Sequence, residues 1–141
     1  VAVKPAAADR HPQVGIAVDV THATDTPGIN VKEHGLVELG KGPTISHGAA
    51  NHPLVMRRLI EVAEKHKIPL QHEAVSRSTS TDADVIYTSR DGVACGLISI
   101  PLRYMHSPVE MVSLADARHA AKLAAAFIRS LEKTDTFRVL D

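Results

Sequence analysis

Aromatic residues are scarce in this 141-residue chain, which contains two Tyr, two Phe and no Trp, together 3% of the sequence. Surfaces that stack bases or sugar rings are built from such side chains. Their scarcity argues against binding of single-stranded nucleic acid. It also argues against a glycosidase, which would need paired catalytic carboxylates as well.

An excess of charge of either sign is also missing. Lys plus Arg number 16 and Asp plus Glu number 16, so the formal net charge is zero. The sequence has no run of like charges that would bind phosphates. It has no apolar stretch of about 18 residues and no basic-then-apolar leader either. We therefore expect no nucleic acid and no membrane among the partners.

Cysteine occurs once, as Cys95 within the apolar run "GVACGLISIPL". Such a residue is typical of a small buried hydrophobic side chain, and it cannot form an internal disulfide. A cytoplasmic location is expected. The opening stretch "VAVKPAAADRHP" starts at Val1 instead of Met and lacks a periodic pattern. We expect residues 1–12 to be a lead-in from a missing upstream portion, and residues 13–141 to form one domain.

Two stretches, "QVGIAVDV" and "VACGLISIPL", are almost continuously apolar and rich in β-branched residues. They predict strands that are covered on both faces. Shorter strands are predicted in "IPLQHEAV" and "SPVEMVSL". Two further pieces are predicted in "GLVELGKGPTIS", one on each side of a Gly-Lys-Gly-Pro turn.

Three helices are predicted between and after these strands. The segment "HPLVMRRLIEVAEKHK" and the last segment both repeat apolar residues at helical spacing, and a shorter helix follows "STST". The predicted start signals are Asn51 as N-cap with Pro53 in the first turn, Thr81 three residues before Asp84, and Ser113 three residues before Asp116. Strands that alternate with helices predict an α/β fold, a layered sheet with helices on both faces.

Asp19 is unusual because it lies inside the apolar stretch "GIAVDVT". A carboxylate there is costly to bury unless it is paired, hydrogen-bonded or bound to a cation. It is either a strand-end residue that caps a loop amide or a metal ligand. His22 and Asp25 follow in the loop, and the three could form a local metal site only if that loop turned like a helix.

His106 directly follows the second apolar strand. Functional side chains of α/β sheets collect in loops at strand ends, where a rigid strand aims them into a crevice. His106 is therefore either such a residue or a histidine whose hydrogen bonds are satisfied at a strand end. The segment "LGKGP" lacks the spacing of a phosphate-binding loop, so we interpret it as a tight turn.

Four strings together, "AVDVTHATDTPG", "LGKGP", "STDAD" and "LISIPLRYMHSPVE", resemble the C-terminal part of the dinuclear-zinc aminopeptidases. These are the glutamyl/leucyl-type enzymes that form tetrahedral dodecamers, and some members are labelled endoglucanases. The resemblance extends from about Gln13 to Leu131. It implies that the chain is the C-terminal half of a zinc-aminopeptidase catalytic domain.

The resemblance implies that Asp19 and His106 are metal ligands of a centre with two divalent ions, zinc being expected and cobalt or manganese the alternatives. In the family's scheme the metals polarise the scissile carbonyl and activate a bridging water. The other ligands and the glutamate general base are expected upstream, so no catalytic residue is assigned in this fragment. Ser80 stands where the family's "GTDA" motif has glycine.

The implied parent protein removes N-terminal residues from peptides, and the fragment alone is expected to be inactive. Its implied partners are peptide substrates, the missing N-terminal half of the same protein, and further copies of itself, since the family forms dodecamers. The alternative is a non-catalytic fragment or assembly module whose sheet is completed by a partner chain.

Overall fold

A computed structural model describes residues 12–89 and 92–137 of the chain. Strands and helices alternate along it, as the periodic patterns predict. The strands are β1 (Val14–His22), β2 (Thr44–His47), β3 (Gln71–Ala74), β4 (Ala94–Arg103) and β5 (Met111–Val112), and the helices are α1 (Val31–His34), α2 (Pro53–Lys65), α3 (Ala83–Tyr87) and α4 (Leu114–Arg129). The predicted lead-in, residues 1–12, lies outside the described residues except for Pro12.

The strands form one mixed sheet in the order β1-β4-β2-β3, with β5 paired to β4. The two apolar strands, β1 and β4, are parallel neighbours from the Val14–Ala94 pair to the His22–Leu102 pair. β2 is antiparallel to β4 and parallel to β3. The carboxyl ends of β1 and β4 therefore lie at one edge of the sheet, and those of β2 and β3 lie at the other. No strand of the described ranges pairs with the second edge of β1.

Helices cover both faces of the sheet, as predicted. On one face α2 and α4 pack around Ile45, Leu59, Ile98 and Phe127. On the other face Ala83 at the start of α3 packs against a smaller apolar cluster that includes Cys95. Because both faces are covered, β1 and β4 are built from continuous apolar residues. No helix in the described part of the chain is both long and apolar enough to span a bilayer.

The start of α2 differs from the prediction by one residue. His52 is the N-cap, and its ring accepts a hydrogen bond from the Leu54 amide at 3.3 Å. The His52 amide donates to the Cys95 carbonyl at 2.7 Å, which ties the cap to β4. The expected cap, Asn51, lies one residue earlier and is buried, so the prediction of an Asn51 cap is wrong. Neither atom of its side-chain amide has a hydrogen-bond partner within the described ranges.

The short helix α3 is confirmed, although its start uses a different set of hydrogen bonds. Asp84 accepts hydrogen bonds from the Thr79 amide at 3.0 Å and from the Ser80 amide at 2.9 Å. It also accepts one from the Ser78 hydroxyl. The carboxylate therefore orders the preceding loop instead of joining Thr81 in a reciprocal cap.

The first of the two strands predicted in "GLVELGKGPTIS" is wrong, because residues 35–43 contain no strand. Val37 is buried there all the same. Its amide donates to the Thr24 hydroxyl at 2.8 Å, and its carbonyl accepts from the Thr24 amide at 2.8 Å. A threonine in the loop after β1 thus satisfies the backbone groups that a strand would have paired.

The turn "LGKGP" is held by a buried carboxylate from α4. Ser113 is the N-cap of α4 as predicted, and its hydroxyl accepts from the Asp116 amide at 3.4 Å. The Asp116 carboxylate accepts from the amides of Gly40 and Gly42 at 2.7 and 2.8 Å. Because these amides are already bonded, the prediction of a tight turn, and not of a phosphate loop, is confirmed.

Candidate active site at the carboxyl edge of the sheet

Asp19 lies in β1 opposite Ser99 of β4 and is half-buried. One carboxylate oxygen accepts a hydrogen bond from the amide of the next residue, Val20, at 2.8 Å. The ion pairs of the described residues do not include Asp19. This local hydrogen bond fixes one oxygen and leaves the other available to a cation.

His106 lies three residues beyond the end of β4, in the connection to β5. Its backbone amide donates to a Glu110 carboxylate oxygen at 2.6 Å, which closes the connection. The side chain is exposed, and no hydrogen bond of the described residues involves its ring. The structure therefore does not support the interpretation of a histidine whose hydrogen bonds are satisfied at a strand end.

The backbone around His106 is strained. His106 has φ +64° and Tyr104 has φ +57°, both in the left-handed region. Residues with a Cβ adopt this conformation at a cost of about 1–2 kcal/mol, and such strain is concentrated at functional sites. The connection thus holds the backbone of His106 in an energetically unfavourable conformation.

β1 and β4 run parallel, with Asp19 three residues before the end of β1 and His106 three residues after the end of β4, so both lie toward the carboxyl ends of these strands. Ligands of open α/β sheets bind outside the carboxyl ends of the strands. Carboxylate oxygen and imidazole nitrogen are both suitable ligands for zinc, cobalt or manganese. The described residues contain no group of three or more His, Cys, Asp or Glu that could hold a metal ion. The donor chemistry therefore fits a metal centre, and the number of donors is incomplete.

A local metal site built on Asp19, His22 and Asp25 is not formed. The Asp25 carboxylate binds the Arg103 guanidinium through two contacts, at 2.6 and 3.1 Å. These hydrogen bonds hold the pKa of Asp25 below its ordinary value. Because Asp25 is held by an arginine and no three-ligand group is found among the described residues, that hypothesis is wrong.

A cavity of about 620 Å³ lies next to the end of β1. Its lining includes His22, Glu33 and Glu73. Glu73, on β3, accepts hydrogen bonds from the hydroxyls of Thr21 at 2.7 Å and Ser46 at 3.3 Å. Sequence reasoning missed Glu73, because the hydroxyls that orient it come from strands whose register is not visible in the sequence.

Comparison with known families shows to which family the chain belongs. A sequence model described as M42 glutamyl aminopeptidase matches residues 1–123. The chain belongs to the M42 family. This confirms the resemblance read from the four motifs, and it makes the chain part of a peptidase family.

Individual M42 relatives agree in sequence and in structure. A lysyl aminopeptidase of Pyrococcus furiosus is 44% identical over 124 residues, which are 88% of this chain and 35% of the relative. An aminopeptidase structure from Desulfurococcus kamchatkensis has a TM-score of 0.81 at 43% identity, over 89% of this chain and 36% of that one. The TET1 peptidase of Pyrococcus horikoshii, which can assemble into a tetrahedron or a large octahedral shell, has a TM-score of 0.65 at 27% identity, over 85% and 34% of the two chains.

The chain spans about a third of the length of the M42 proteins that it matches. The layered α/β fold is common to the chain and these structures, which confirms the predicted fold class. Because the chain covers only this third, the activity, the substrates and the assembly of the whole protein are matters for proposal.

Proposed function

We propose that this chain supplies part of the catalytic domain of a metal-dependent aminopeptidase that removes N-terminal residues from peptides. One observation carries the proposal. The chain is that of a peptidase family, and Asp19 and His106 both lie toward the carboxyl ends of the parallel strands β1 and β4, which supports a shared site.

Asp19 and His106 would hold divalent metal, with zinc expected and cobalt or manganese as alternatives. A metal bound there supplies Lewis acidity toward the scissile carbonyl and lowers the pKa of a bound water. The residues of this chain position the ligands. The hydrogen bond from the Val20 amide orients Asp19, and the Glu110 carboxylate holds the backbone of His106. Such contacts limit the number of orientations that a ligand samples before metal arrives.

The remaining ligands and the general base would come from other polypeptide. The unpaired edge of β1 supports this, because an exposed strand edge is a template for a further strand. In the enzyme that we propose, the further strand belongs to another part of the same protein. The alternative is a partner chain, in which case the fragment is a non-catalytic assembly module.

We also propose that the parent protein is a cytoplasmic homo-oligomer. The assembly of the TET1 peptidase supports the oligomer. The single free cysteine, Cys95, is compatible with a reducing compartment because the chain has no second cysteine with which to form an internal disulfide. A peptide with an N-terminal lysine is the first substrate to test. The name of the Pyrococcus furiosus relative supports that choice, as do Glu33 and Glu73 in the cavity beside β1.

The test is a pair of variants in the full-length protein, Asp19→Asn and His106→Ala. Each removes one ligand, so bound metal should decrease and turnover should decrease by at least about 100-fold. The melting temperature of the metal-free protein should change little, because both side chains lie at an accessible strand end. Metal content, turnover of a lysyl substrate and thermal midpoint are measured together.

His22→Ala is the matched control, since His22 is an exposed histidine at the same edge. It should retain metal and most of the activity. A His106→Ala protein that kept full metal occupancy and activity but melted early would refute the ligand assignment.

A further inference from the structure

Two histidines meet on the face of the sheet opposite the side chains of Ser46 and Glu73. His47 is the last residue of β2 and His72 lies in β3, so the parallel pairing of these strands places them side by side. Their Nε2 and Nδ1 atoms are 2.9 Å apart, and the rings are stacked with centroids 5.2 Å apart and planes 18° from parallel. Both side chains are exposed.

The two nitrogens are close enough for one ion to bind both. Their separation of 2.9 Å is that of a hydrogen bond in which one ring donates and the other accepts. Imidazole nitrogens bind Zn²⁺ at about 2.0–2.1 Å, so two nitrogens on one ion lie only slightly farther apart than this pair or at the same distance. The affinity of nitrogen sites for divalent metals rises along the first row toward Ni²⁺ and Cu²⁺, whose centres are typically square-planar or tetragonal.

We propose that His47 and His72 form a two-histidine chelate for a tetragonal divalent ion, Ni²⁺ or Cu²⁺. Binding replaces one imidazole–imidazole hydrogen bond with two metal–nitrogen bonds. Because both rings are exposed, the small rotations that aim their lone pairs at the ion meet little packing resistance.

The other coordination positions have room beside His47. A cavity of about 410 Å³ is lined there by His47, Asn51, Arg57 and Glu61, among others. Asn51 is only 6% exposed, and its amide nitrogen and oxygen lack hydrogen-bond partners in the described part of the chain. Water or a small ligand on the ion can occupy this cavity, where Asn51 has both a donor and an acceptor free.

This chelate is separate from the centre proposed for peptide hydrolysis. Ser46 and Glu73 hydrogen-bond to each other, and Glu73 also accepts from Thr21, which lies on the same face of β1 as Asp19. Because side chains alternate along each strand, the two histidines lie on the opposite face of the sheet from Asp19. The chelate needs only side chains of this chain, so it does not depend on the remaining ligands of the peptidase centre.

The experiment is a calorimetric titration of the untagged full-length protein with Ni²⁺, repeated with His47→Gln and His72→Gln. Each variant loses one chelating nitrogen, and the Ni²⁺ affinity should fall by at least about tenfold. His66→Gln is the matched control, because His66 is exposed at the end of α2, and the affinity should not change. Circular dichroism checks that each variant keeps the fold. Electron paramagnetic resonance of the unmodified chain with Cu²⁺ should show two coordinated nitrogens.

Three outcomes would overturn the chelate. The first is Ni²⁺ affinity that is unchanged in both His47→Gln and His72→Gln. The second is an equal loss of affinity in His66→Gln. The third is loss of the signal in Asp19→Asn or His106→Gln, which would assign the ion to the peptidase centre and leave the peptidase proposal standing. If Asp19→Asn and His106→Ala keep full metal content and activity, the peptidase site assignment is refuted and the chelate is unaffected.

Discussion

Within the described residues, backbone strain is confined to a few positions. Four residues other than glycine have positive φ, namely Lys67, Ser80, Tyr104 and His106. Two of them belong to the connection that carries a candidate metal ligand, where strain is consistent with a functional role. Ser80 is different, because the resemblance to the zinc aminopeptidases implies glycine at its position.

Replacing Ser80 with glycine should stabilise the fold. Ser80 has φ +56°, and its amide hydrogen bond to Asp84 does not depend on its side chain. Glycine removes the Cβ strain of about 1–2 kcal/mol, offset in part by the greater freedom of glycine in the unfolded chain, so the free energy of unfolding should rise by about 0.5–1 kcal/mol. Urea denaturation measures the change. Ser76→Gly, at an exposed serine without positive φ, should lower stability, and a decrease in both variants would contradict the strain argument.

The Asp25–Arg103 pair should make stability depend on pH. Hydrogen bonds from Arg103 lower the pKa of Asp25 in the folded state, so this pair stabilises the fold above the unfolded pKa of about 3.9. The contribution is lost as the pH falls through the lowered folded pKa. Asp25→Asn should therefore melt below the unmodified chain at pH 6, and the difference should shrink between pH 4 and pH 2. A difference in melting temperature that stays constant over this range would contradict the prediction.

The first turn of α4 carries a buried carboxylate, Asp116, that holds a distant loop. Asp116 lies three residues after the N-cap Ser113, so its amide belongs to the helix and its carboxylate belongs to the turn at Gly40 and Gly42. The side chain is fully buried. One residue thus fixes both the start of a helix and the conformation of a loop more than 70 positions earlier in the chain.

Asp116→Asn should destabilise the chain more than Ser113→Ala does. The asparagine amide would face a backbone N–H donor, leaving buried groups unsatisfied at a cost of about 2–4 kcal/mol. Loss of the N-cap hydroxyl costs about 1 kcal/mol. Urea denaturation of the two variants compares the losses directly. Equal losses would mean that the two glycine hydrogen bonds contribute little to folding.

Across the molecule, the sheet ends on one side in an apolar strand without a partner. β1 pairs only with β4 in the described ranges, and Val18 and Val20 on it are 54% and 36% exposed. Continuously apolar strands of this kind are normally covered on both faces and paired at both edges. The arrangement supports a fold that is completed by further polypeptide.

We predict that the chain alone does not hydrolyse peptides. A hydrolytic centre with Asp19 and His106 but without its base and remaining ligands lacks the groups that lower the barrier. The measurement is release of a chromogenic group from aminoacyl substrates, with metal ions in buffer as the blank and the full-length protein as the positive control. Release by the chain above the blank, abolished by His106→Ala, would show that this prediction is wrong.

The amino-acid sequence was enough to predict the fold class, the two long apolar strands β1 and β4, and the helices α2 and α4. Each of these depends on a periodic pattern within one segment, such as the unbroken apolar run of β4 or the Ser113 cap of α4. The peptidase family was likewise recognisable from short contiguous motifs. Local information also suggested Asp19 and His106, because Asp19 is a carboxylate inside one apolar strand and His106 follows the other.

The contacts between distant segments depended on three-dimensional geometry. Glu73 meets Thr21, Asp116 meets Gly40, Asp25 meets Arg103 and His47 meets His72 only once strand register and loop paths are set. A shift of one residue in register would turn Glu73 or His72 to the opposite face of the sheet. For the same reason the sequence left open a metal site that included Asp25, whereas the folded chain places Arg103 against it. Periodicity within a segment predicts which residues are buried, and packing between segments determines which polar groups meet.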